Sequence, residues 1–86
     1  MEDSRQESIG LEYFSSMYRI AFYENGQFTS YMGMLFESKS DAISALTSYS
    51  LNVTAAGLDV KFVGADCFTY DRYGTPCAIR IEEASV

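Results

Sequence analysis

The strongest local signal in the chain is the turn sequence Tyr23-Glu24-Asn25-Gly26, which lies between two runs rich in apolar residues. Asn-Gly is preferred in tight β-hairpin loops because the loop residues there adopt positive φ angles, which Asn and Gly tolerate. A chain with this turn is constrained to fold back on itself as two antiparallel strands. The sequence therefore predicts a β-hairpin centred on Asn25-Gly26.

Two registers are available to this hairpin, and the apolar pattern distinguishes them. A two-residue loop pairs Phe22 with Thr29 and mixes polar and apolar residues on both faces. A three-residue loop pairs Phe22 with Phe28 and Ile20 with Ser30, which collects the apolar residues on one face, so we predict the second register. It also pairs Tyr18 with Met32 and Phe14 with Phe36. The opposite face then carries Arg19, Ala21, Tyr23, Thr29, Tyr31 and Leu35.

A helix is predicted after this hairpin. Ser38 and Asp41 have the spacing of a capping box, in which the serine hydroxyl accepts from the backbone N–H three residues later. Apolar residues then recur at helical spacing: Ala42, Ala45, Leu46 and Tyr49, with Ile43 beside them. We expect the helix to end near Leu51-Asn52, where β-branched residues and Asn lower helix propensity.

The last third of the chain reads as three further strands. Residues 58–63 alternate as a strand with Leu58, Val60 and Phe62 facing inward. A final hairpin, residues 67–72 and 75–82, surrounds the turn Tyr73-Gly74. The predicted pairs are Phe68 with Ile79, Tyr70 with Cys77 and Cys67 with Arg80. Cys67 and Cys77 then lie on different faces, so no disulfide is expected between them.

These elements together predict a small α+β fold of order β-β-α-β-β-β. We expect an antiparallel sheet of four to five strands with one helix packed on one face. Residues 1–10 are polar and unpatterned, and we interpret them as a flexible acidic tail. The remaining residues, 11–86, form one domain, because a chain of 86 residues is too short for two.

The residue types that are absent limit the kinds of catalytic and metal site that the chain can form. The chain has no His, so triads and metal sites that need imidazole are excluded, and it contains no phosphate-binding glycine motif. Two cysteines ten residues apart are neither a redox motif nor a four-thiolate site. Carboxylates such as Glu82-Glu83 are more typical of a solvated surface than of a cation site. We therefore expect a protein that is not an enzyme and has no cofactor or metal.

The charge balance favours a protein partner over nucleic acid or membrane. Six basic residues face twelve acidic ones, the formal net charge is −6, and no basic run is present. Phosphate binding needs clustered Lys and Arg, so direct nucleic-acid binding is not expected. No apolar run is long enough for a membrane span, and the chain starts without a secretory segment, which predicts a cytoplasmic protein. The acidic surface fits a basic patch on a partner, or serves solubility alone.

Seven tyrosines point to the candidate interface. With the helix on one face of the sheet, the other face presents Arg19, Tyr23 and Tyr31, a composition typical of binding hot spots. Strand propensity alone is the alternative explanation for so many tyrosines. Tyr73, at the tip of the last hairpin, is a further candidate contact or a solvated turn residue. A second copy of the chain is an alternative partner for the open face.

One segment of the sequence also supports a family-level comparison. The run Ile20-Ala21-Phe22-Tyr23-Glu24-Asn25-Gly26, with Phe36-Glu37-Ser38 opening a helix later, resembles small phage-encoded anti-CRISPR proteins of the type I-F inhibitor kind. The resemblance implies a non-enzymatic inhibitor that binds a protein or ribonucleoprotein surface and blocks nucleic-acid access. It also implies that Tyr23, Glu24 and Asn25 contact the partner.

The leading hypothesis from the sequence is thus a small acidic protein-binding module that inhibits a nucleic-acid-handling machine. Its candidate contacts are Arg19, Tyr23, Glu24, Asn25, Tyr31 and Tyr73. The alternatives are a structural or homodimeric subunit that uses the open sheet face, an enzyme that uses carboxylates or Cys67, and a binder of a small ligand between helix and sheet.

Overall fold

The computed structural model describes residues 17–84, which form five strands and one helix. The elements are β1 (Met17–Glu24), β2 (Gln27–Tyr31), α1 (Lys39–Ala55), β3 (Val60–Phe62), β4 (Cys67–Arg72) and β5 (Thr75–Ala84). This order confirms the predicted β-β-α-β-β-β arrangement and α+β fold. The predicted tail at residues 1–10, and Phe14 with its predicted pairing, lie outside the described residues.

All five strands form one antiparallel sheet in the order β2-β1-β5-β4-β3. The ten-residue strand β5 is central and pairs along its length with β1, from Met17 opposite Ala84 to Glu24 opposite Cys77. This pairing joins the two hairpins into one sheet and leaves β2 and β3 at the edges. Both hairpin turns therefore lie at the same end of the sheet.

The C-terminal hairpin has the predicted register. Cys67 lies opposite Arg80, Phe68 opposite Ile79 and Tyr70 opposite Cys77. Its two turn residues, Tyr73 and Gly74, have φ angles of 52° and 95°, as a two-residue hairpin loop requires.

The predicted register of the N-terminal hairpin is wrong. The loop has two residues, Asn25 and Gly26, with φ angles of 53° and 78°, so that Tyr23 pairs with Phe28. The register then shifts at a β-bulge, beyond which Phe22 lies opposite Ser30. Thr29 is the extra residue, and its hydroxyl donates to the carbonyl oxygen of Phe22 at 2.9 Å. The two-residue loop places Phe28 on the face opposite to the predicted one, and the bulge returns Ser30 and Tyr31 to their predicted faces.

The predicted pairing at the other end of this hairpin is also wrong. Tyr18 pairs with Phe36 rather than with Met32. The backbone N–H of Met32 instead donates to the carbonyl oxygen of Ile20 at 2.8 Å.

Helix α1 begins as predicted and ends later than predicted. The hydroxyl of Ser38 accepts from the backbone N–H of Asp41 at 3.1 Å, which confirms the helix cap. The helix continues past Leu51-Asn52 to Ala55 because Val53 is buried against the sheet and contributes to the core. Burial of this side chain outweighs the weak helix propensity of the segment.

The core lies between α1 and one face of the sheet. Ile20, Leu46, Phe68 and Ile79 are its largest fully buried side chains. Val60 packs against this core as predicted, whereas Phe62 is 48% exposed, with its ring 5.5 Å from that of Phe68. Among residues 17–84, no helix combines the length and apolarity needed to cross a membrane.

Candidate functional site

The sheet face opposite α1 carries a row of aromatic and cationic side chains. Strand alternation places Arg19 and Tyr23 of β1, Phe28 and Tyr31 of β2 and Arg80 of β5 on this open face. We call these five residues the aromatic ridge. Within the described part of the chain, α1 lies on the other face, so no helix covers the ridge.

The ridge is continuous from one end to the other. The guanidinium carbon of Arg19 lies 3.8 Å from the centre of the Tyr31 ring, and the rings of Tyr31 and Phe28 are 4.6 Å apart. Phe28 meets the Tyr23 ring edge-to-face at 5.8 Å, and the guanidinium of Arg80 lies 4.6 Å from the centre of the Tyr23 ring. Two cation–π contacts therefore close the ends of a three-ring stack.

Glu82 fixes the Tyr23 end of the ridge. The Tyr23 hydroxyl donates to Oε2 of Glu82, and Arg80 Nε donates to the same oxygen at 3.1 Å. Arg80 Nη2 also donates to the Tyr23 hydroxyl oxygen at 3.0 Å. The hydrogen bond from Tyr23 lowers the pKa of Glu82 below its ordinary value, and the same bond raises the pKa of Tyr23. The side chains of Tyr23, Arg80 and Glu82 therefore restrain one another through three hydrogen bonds.

The Arg19 end is different. Arg19 lies opposite Glu82 in the strand register, but Tyr23 and Arg80 both donate to Oε2 of that carboxylate and leave Arg19 beside it. The Nε atom of Arg19 is shielded from solvent and has no hydrogen-bond acceptor among residues 17–84. Among residues 17–84, the ridge thus has one cation that is hydrogen-bonded to a carboxylate and one, Arg19, whose Nε has no acceptor and whose guanidinium stacks on a ring.

A hollow of about 380 Å³ adjoins Arg19. Its walls come from Tyr31 and from the segment after β2, namely Met32, Gly33, Met34 and Leu35. Met34 and Leu35 are each more than half exposed. The hollow combines a cationic wall with apolar ones, and Leu35 lies beside Arg19 and Tyr31 as predicted.

A second hollow, of about 450 Å³, lies on the other side of β5. Lys61, Thr69, Pro76 and Ala78 contribute to its lining. Ala78 and Thr69 are directly paired across β4 and β5, so small side chains leave this part of the open face low. The open face therefore has a raised half on β1 and β2 and a lowered half towards β4.

Three predicted contact residues lie away from the ridge, at the end of the sheet where both turns meet. Glu24 accepts from Arg72 Nη2 at 2.6 Å, which ties the two hairpins together. The backbone N–H of Asn25 donates to the carbonyl oxygen of Pro76 at 2.9 Å. Tyr73 is 88% exposed at the tip of the second turn. The structure thus brings Arg19, Tyr23 and Tyr31 together and places Glu24, Asn25 and Tyr73 on a separate border.

Sequence reasoning missed Phe28, Arg80 and Glu82 as members of this cluster. The predicted three-residue loop puts Phe28 on the other face, and the bulge at Thr29, which lets a two-residue loop keep Tyr31 on the open face, has no sequence signature. The outward alternation of Arg80 and Glu82 was predicted, but their position beside Tyr23 follows from the pairing of β5 with β1. Tyr23 is separated from Arg80 by 57 positions in the sequence and from Glu82 by 59. The local sequence pattern carries no information on these two contacts.

The open face is not acidic although the chain carries a net charge of −6. Its strand residues include three cations, Arg19, Lys61 and Arg80, against the carboxylates of Asp71 and Glu82. The remaining carboxylates of residues 17–84 lie in loops, in the helix and on the helix-side strand positions. Charge is therefore segregated between this face and its surroundings.

The alternative nucleophile, Cys67, lies on the open face opposite Arg80. Burial raises the pKa of its thiol, which disfavours the reactive thiolate. Among residues 17–84, the side chains of His, Cys, Asp and Glu form no group of three or more that could hold a metal ion.

No protein-family model, curated protein or solved structure matches this chain.

Proposed function

We propose that this chain is a small non-enzymatic protein-binding module whose interface is the aromatic ridge. The observation that carries the proposal is the exposure of the ridge. Phe28 and Tyr31 are 47% and 40% exposed at the middle of a continuous stack, on a sheet face that α1 does not cover. Contiguous exposed aromatics on a small protein are typical of interaction sites, and Tyr and Arg dominate binding hot spots.

The contacts within the ridge also lower the entropic cost of binding. Side chains that are already stacked lose little rotamer freedom when a partner covers them. Tyr23 is fixed by Glu82 and Arg80, and Tyr31 lies between Phe28 and Arg19. The ridge is therefore preorganised, and a smaller entropic cost of binding raises the affinity for a partner.

The partner that we propose is a protein or ribonucleoprotein with a basic patch, and the action is inhibition of a nucleic-acid-handling machine. The net charge of −6 favours approach to a basic surface and opposes direct binding of nucleic acid or of an anionic membrane. The resemblance of residues 20–26 and 36–38 to anti-CRISPR proteins supports the same class of action. Occupying a basic surface of this kind would block access of nucleic acid.

The turn end of the sheet fits this proposal as the border of the interface. Glu24 and Asn25 adjoin Tyr23 along the chain, and the ion pair between Glu24 and Arg72 brings the second turn, with Tyr73, to the same end. A partner that covers Tyr23 therefore meets these residues next. We expect them to contribute less than the ridge, because exposed rim contacts are usually weak.

Affinity capture from native lysate tests the proposal. Wild type is expected to retain one stoichiometric protein after a high-salt wash, because a packed aromatic interface is insensitive to salt. Replacing Tyr23 and Tyr31 together with Ala should weaken binding at least about tenfold. The matched control replaces Phe62, an exposed aromatic residue on the helix side of the sheet, and should retain the partner. Unchanged capture by the tyrosine variant, with a native circular dichroism spectrum, contradicts the proposal.

A homodimeric subunit is the second candidate, and the two halves of the open face favour it. The ridge lies on β1 and β2, the second hollow lies towards β4, and β5 runs between them. A two-fold axis parallel to β5 and between two facing sheets places each ridge over the other copy's hollow, as a self-complementary interface requires. Light scattering distinguishes this candidate: a monomer at high concentration rules it out, whereas a dimer that the tyrosine variant dissociates supports it.

A further inference from the structure

We propose that the Arg19 end of the aromatic ridge binds a carboxylate side chain of the partner, presented beside an apolar side chain that enters the hollow formed by Met34 and Leu35. This inference rests on the proposed function and deepens it, because it specifies the chemistry of the segment that the ridge recognises. The partner segment is an acidic and apolar peptide.

The charge of Arg19 favours a carboxylate as its ligand. Its cross-strand neighbour Glu82 is bonded to Tyr23 and to Arg80, and residues 17–84 give the Nε atom of Arg19 no acceptor. A guanidinium whose hydrogen-bonding capacity is unfilled favours a carboxylate, the group that matches its planar fork, and since Nε is shielded this carboxylate has to reach Arg19 through the Nη groups. The stack on Tyr31 holds the guanidinium in one plane before the partner arrives.

The adjoining hollow favours an apolar side chain next to that carboxylate. Apart from Arg19, its lining consists of Tyr31, Gly33 and the side chains of Met32, Met34 and Leu35. Met34 and Leu35 are 57% and 54% exposed, so an apolar side chain that enters there removes their surface from water. Methionine adapts its shape to the group it meets, which suits a docking wall. One site thus offers a cation and an apolar wall side by side.

The net charge of the chain favours an isolated carboxylate over a polyanion as the group that Arg19 binds. A nucleic acid or a phosphate-rich surface brings many negative charges, which the net charge of −6 repels. A protein segment brings one carboxylate within an otherwise neutral or basic surface. Long-range attraction to a basic partner and a local ion pair at Arg19 are therefore compatible, because the first depends on net charge and the second on contact.

Peptide selection on the full chain tests this inference. The probe is a phage-displayed library of random dodecapeptides, selected on immobilised wild type and on Arg19→Gln. Peptides selected on wild type are expected to be enriched in Asp or Glu next to Leu, Ile, Met or Phe, and this enrichment is expected to vanish on Arg19→Gln.

Fluorescence anisotropy on one selected peptide then measures the pairing directly. Arg19→Gln, and separately the acidic-to-amide change in the peptide, should each weaken binding about tenfold, which is the size of a hydrogen-bonded charge contact. The two changes together should cost little more than either alone, because they remove the same contact. Lys61→Gln is the matched control, since it removes another cation of the open face away from Arg19, and it should bind within about twofold of wild type.

Several results overturn the inference. They are peptides without acidic enrichment, equal affinity for the amide peptide, additive losses in the double change, and the absence of any selected peptide. If amide peptides bind as well as acidic ones but Tyr23→Ala/Tyr31→Ala abolishes binding, the proposed interface stands and the carboxylate anchor is wrong. If light scattering shows a dimer that Arg19→Gln dissociates, a second copy occupies the site instead.

Discussion

The two faces of this sheet are built from alternate residues of the same strands and differ in almost every physical respect. On the helix side, Ile20, Phe68 and Ile79 are buried beneath α1. On the open side, the neighbours of Ile20 are Arg19 and Ala21, and Phe28 and Tyr31 remain near half exposed. The side chains of the first face are buried by folding, whereas the stacked rings of the second face remain exposed to solvent after folding.

This difference indicates a division of labour between stability and binding. Helix α1 shields Phe68 and aliphatic side chains from water. This burial of apolar surface is the main favourable contribution to the free energy of folding. Tyrosine and arginine on the other face combine apolar area with polar ends, so the face tolerates water and still favours contact with a protein. If the division holds, substitutions on the two faces must affect different measurements.

The largest expected effect is on the helix side. Phe68→Ala should reduce the free energy of unfolding by about 3–5 kcal/mol, because it leaves a cavity at a fully buried position. Urea unfolding followed by circular dichroism measures it. Phe62→Ala is the matched control: this ring is 48% exposed on the same side of the sheet, so its loss should be much smaller. Equal losses for the two variants would contradict the assignment of the core.

A smaller loss of stability is expected on the open face. Tyr31→Ala removes one ring of the stack and the cation–π contact of Arg19, which together are worth about 1 kcal/mol. The same variant should lose much more in partner affinity than in stability. Parallel unfolding and binding titrations check this separation, and a variant that loses several kcal/mol of stability with unchanged affinity would place Tyr31 in the core instead.

The pH dependence of Glu82 sharpens the account of the Tyr23 end. The hydrogen bond from Tyr23 lowers the pKa of Glu82 in the folded chain, so its stabilisation is present above the unfolded value of about 4.3 and is lost as the pH falls through the folded value. Glu82→Gln should therefore cost about 0.5–1 kcal/mol near pH 7, after allowance for its partial exposure. The difference between the two proteins should shrink in acid.

Unfolding curves at a series of pH values test this expectation. A difference that is the same at pH 7 and at pH 3 would show that the ionised carboxylate of Glu82 does not hold Tyr23.

The smallest effect on stability is expected at Arg19. Arg19→Met keeps much of the side chain's apolar length and removes a shielded donor that has no acceptor among residues 17–84. The free energy of unfolding should stay within about 0.5 kcal/mol of wild type or rise slightly, since removing an unsatisfied donor offsets the lost contact with Tyr31. A loss above about 1 kcal/mol would mean that Arg19 is a structural residue and not a reserved binding group.

The two hairpins show how far the sequence determines the fold. In the C-terminal hairpin the loop has the expected length and the alternation is unbroken, so counting from Tyr73-Gly74 predicts each pair correctly. In the N-terminal hairpin, counting from a two-residue loop is correct only as far as Tyr23 opposite Phe28, because Thr29 then forms a bulge that shifts the register by one residue. Counting apolar positions favours the register with one clean apolar face, but the chain instead places Phe28 beside Tyr23 on the open face.

The candidate site was predictable in part for a related reason. Arg19 and Tyr23 share a face by alternation along β1, and the bulge at Thr29 leaves Tyr31 on the same face that the predicted three-residue loop gave it. The roles of Arg80 and Glu82 depend on the pairing of β5 with β1 between distant parts of the chain. The separation of charge between the open face and the rest of the surface depends on the same long-range pairing.

The central claim is that the aromatic ridge is the surface that a partner covers, and side-chain footprinting tests it most directly. Hydroxyl-radical labelling with mass spectrometry compares the modification of aromatic and methionine side chains in the free chain and in the complex with the captured protein. The account predicts protection of Phe28, Tyr31 and Met34 and no change at Phe62. Protection of Phe62 with unchanged labelling of Phe28 and Tyr31 would contradict the account and move the interface to the helix side of the sheet.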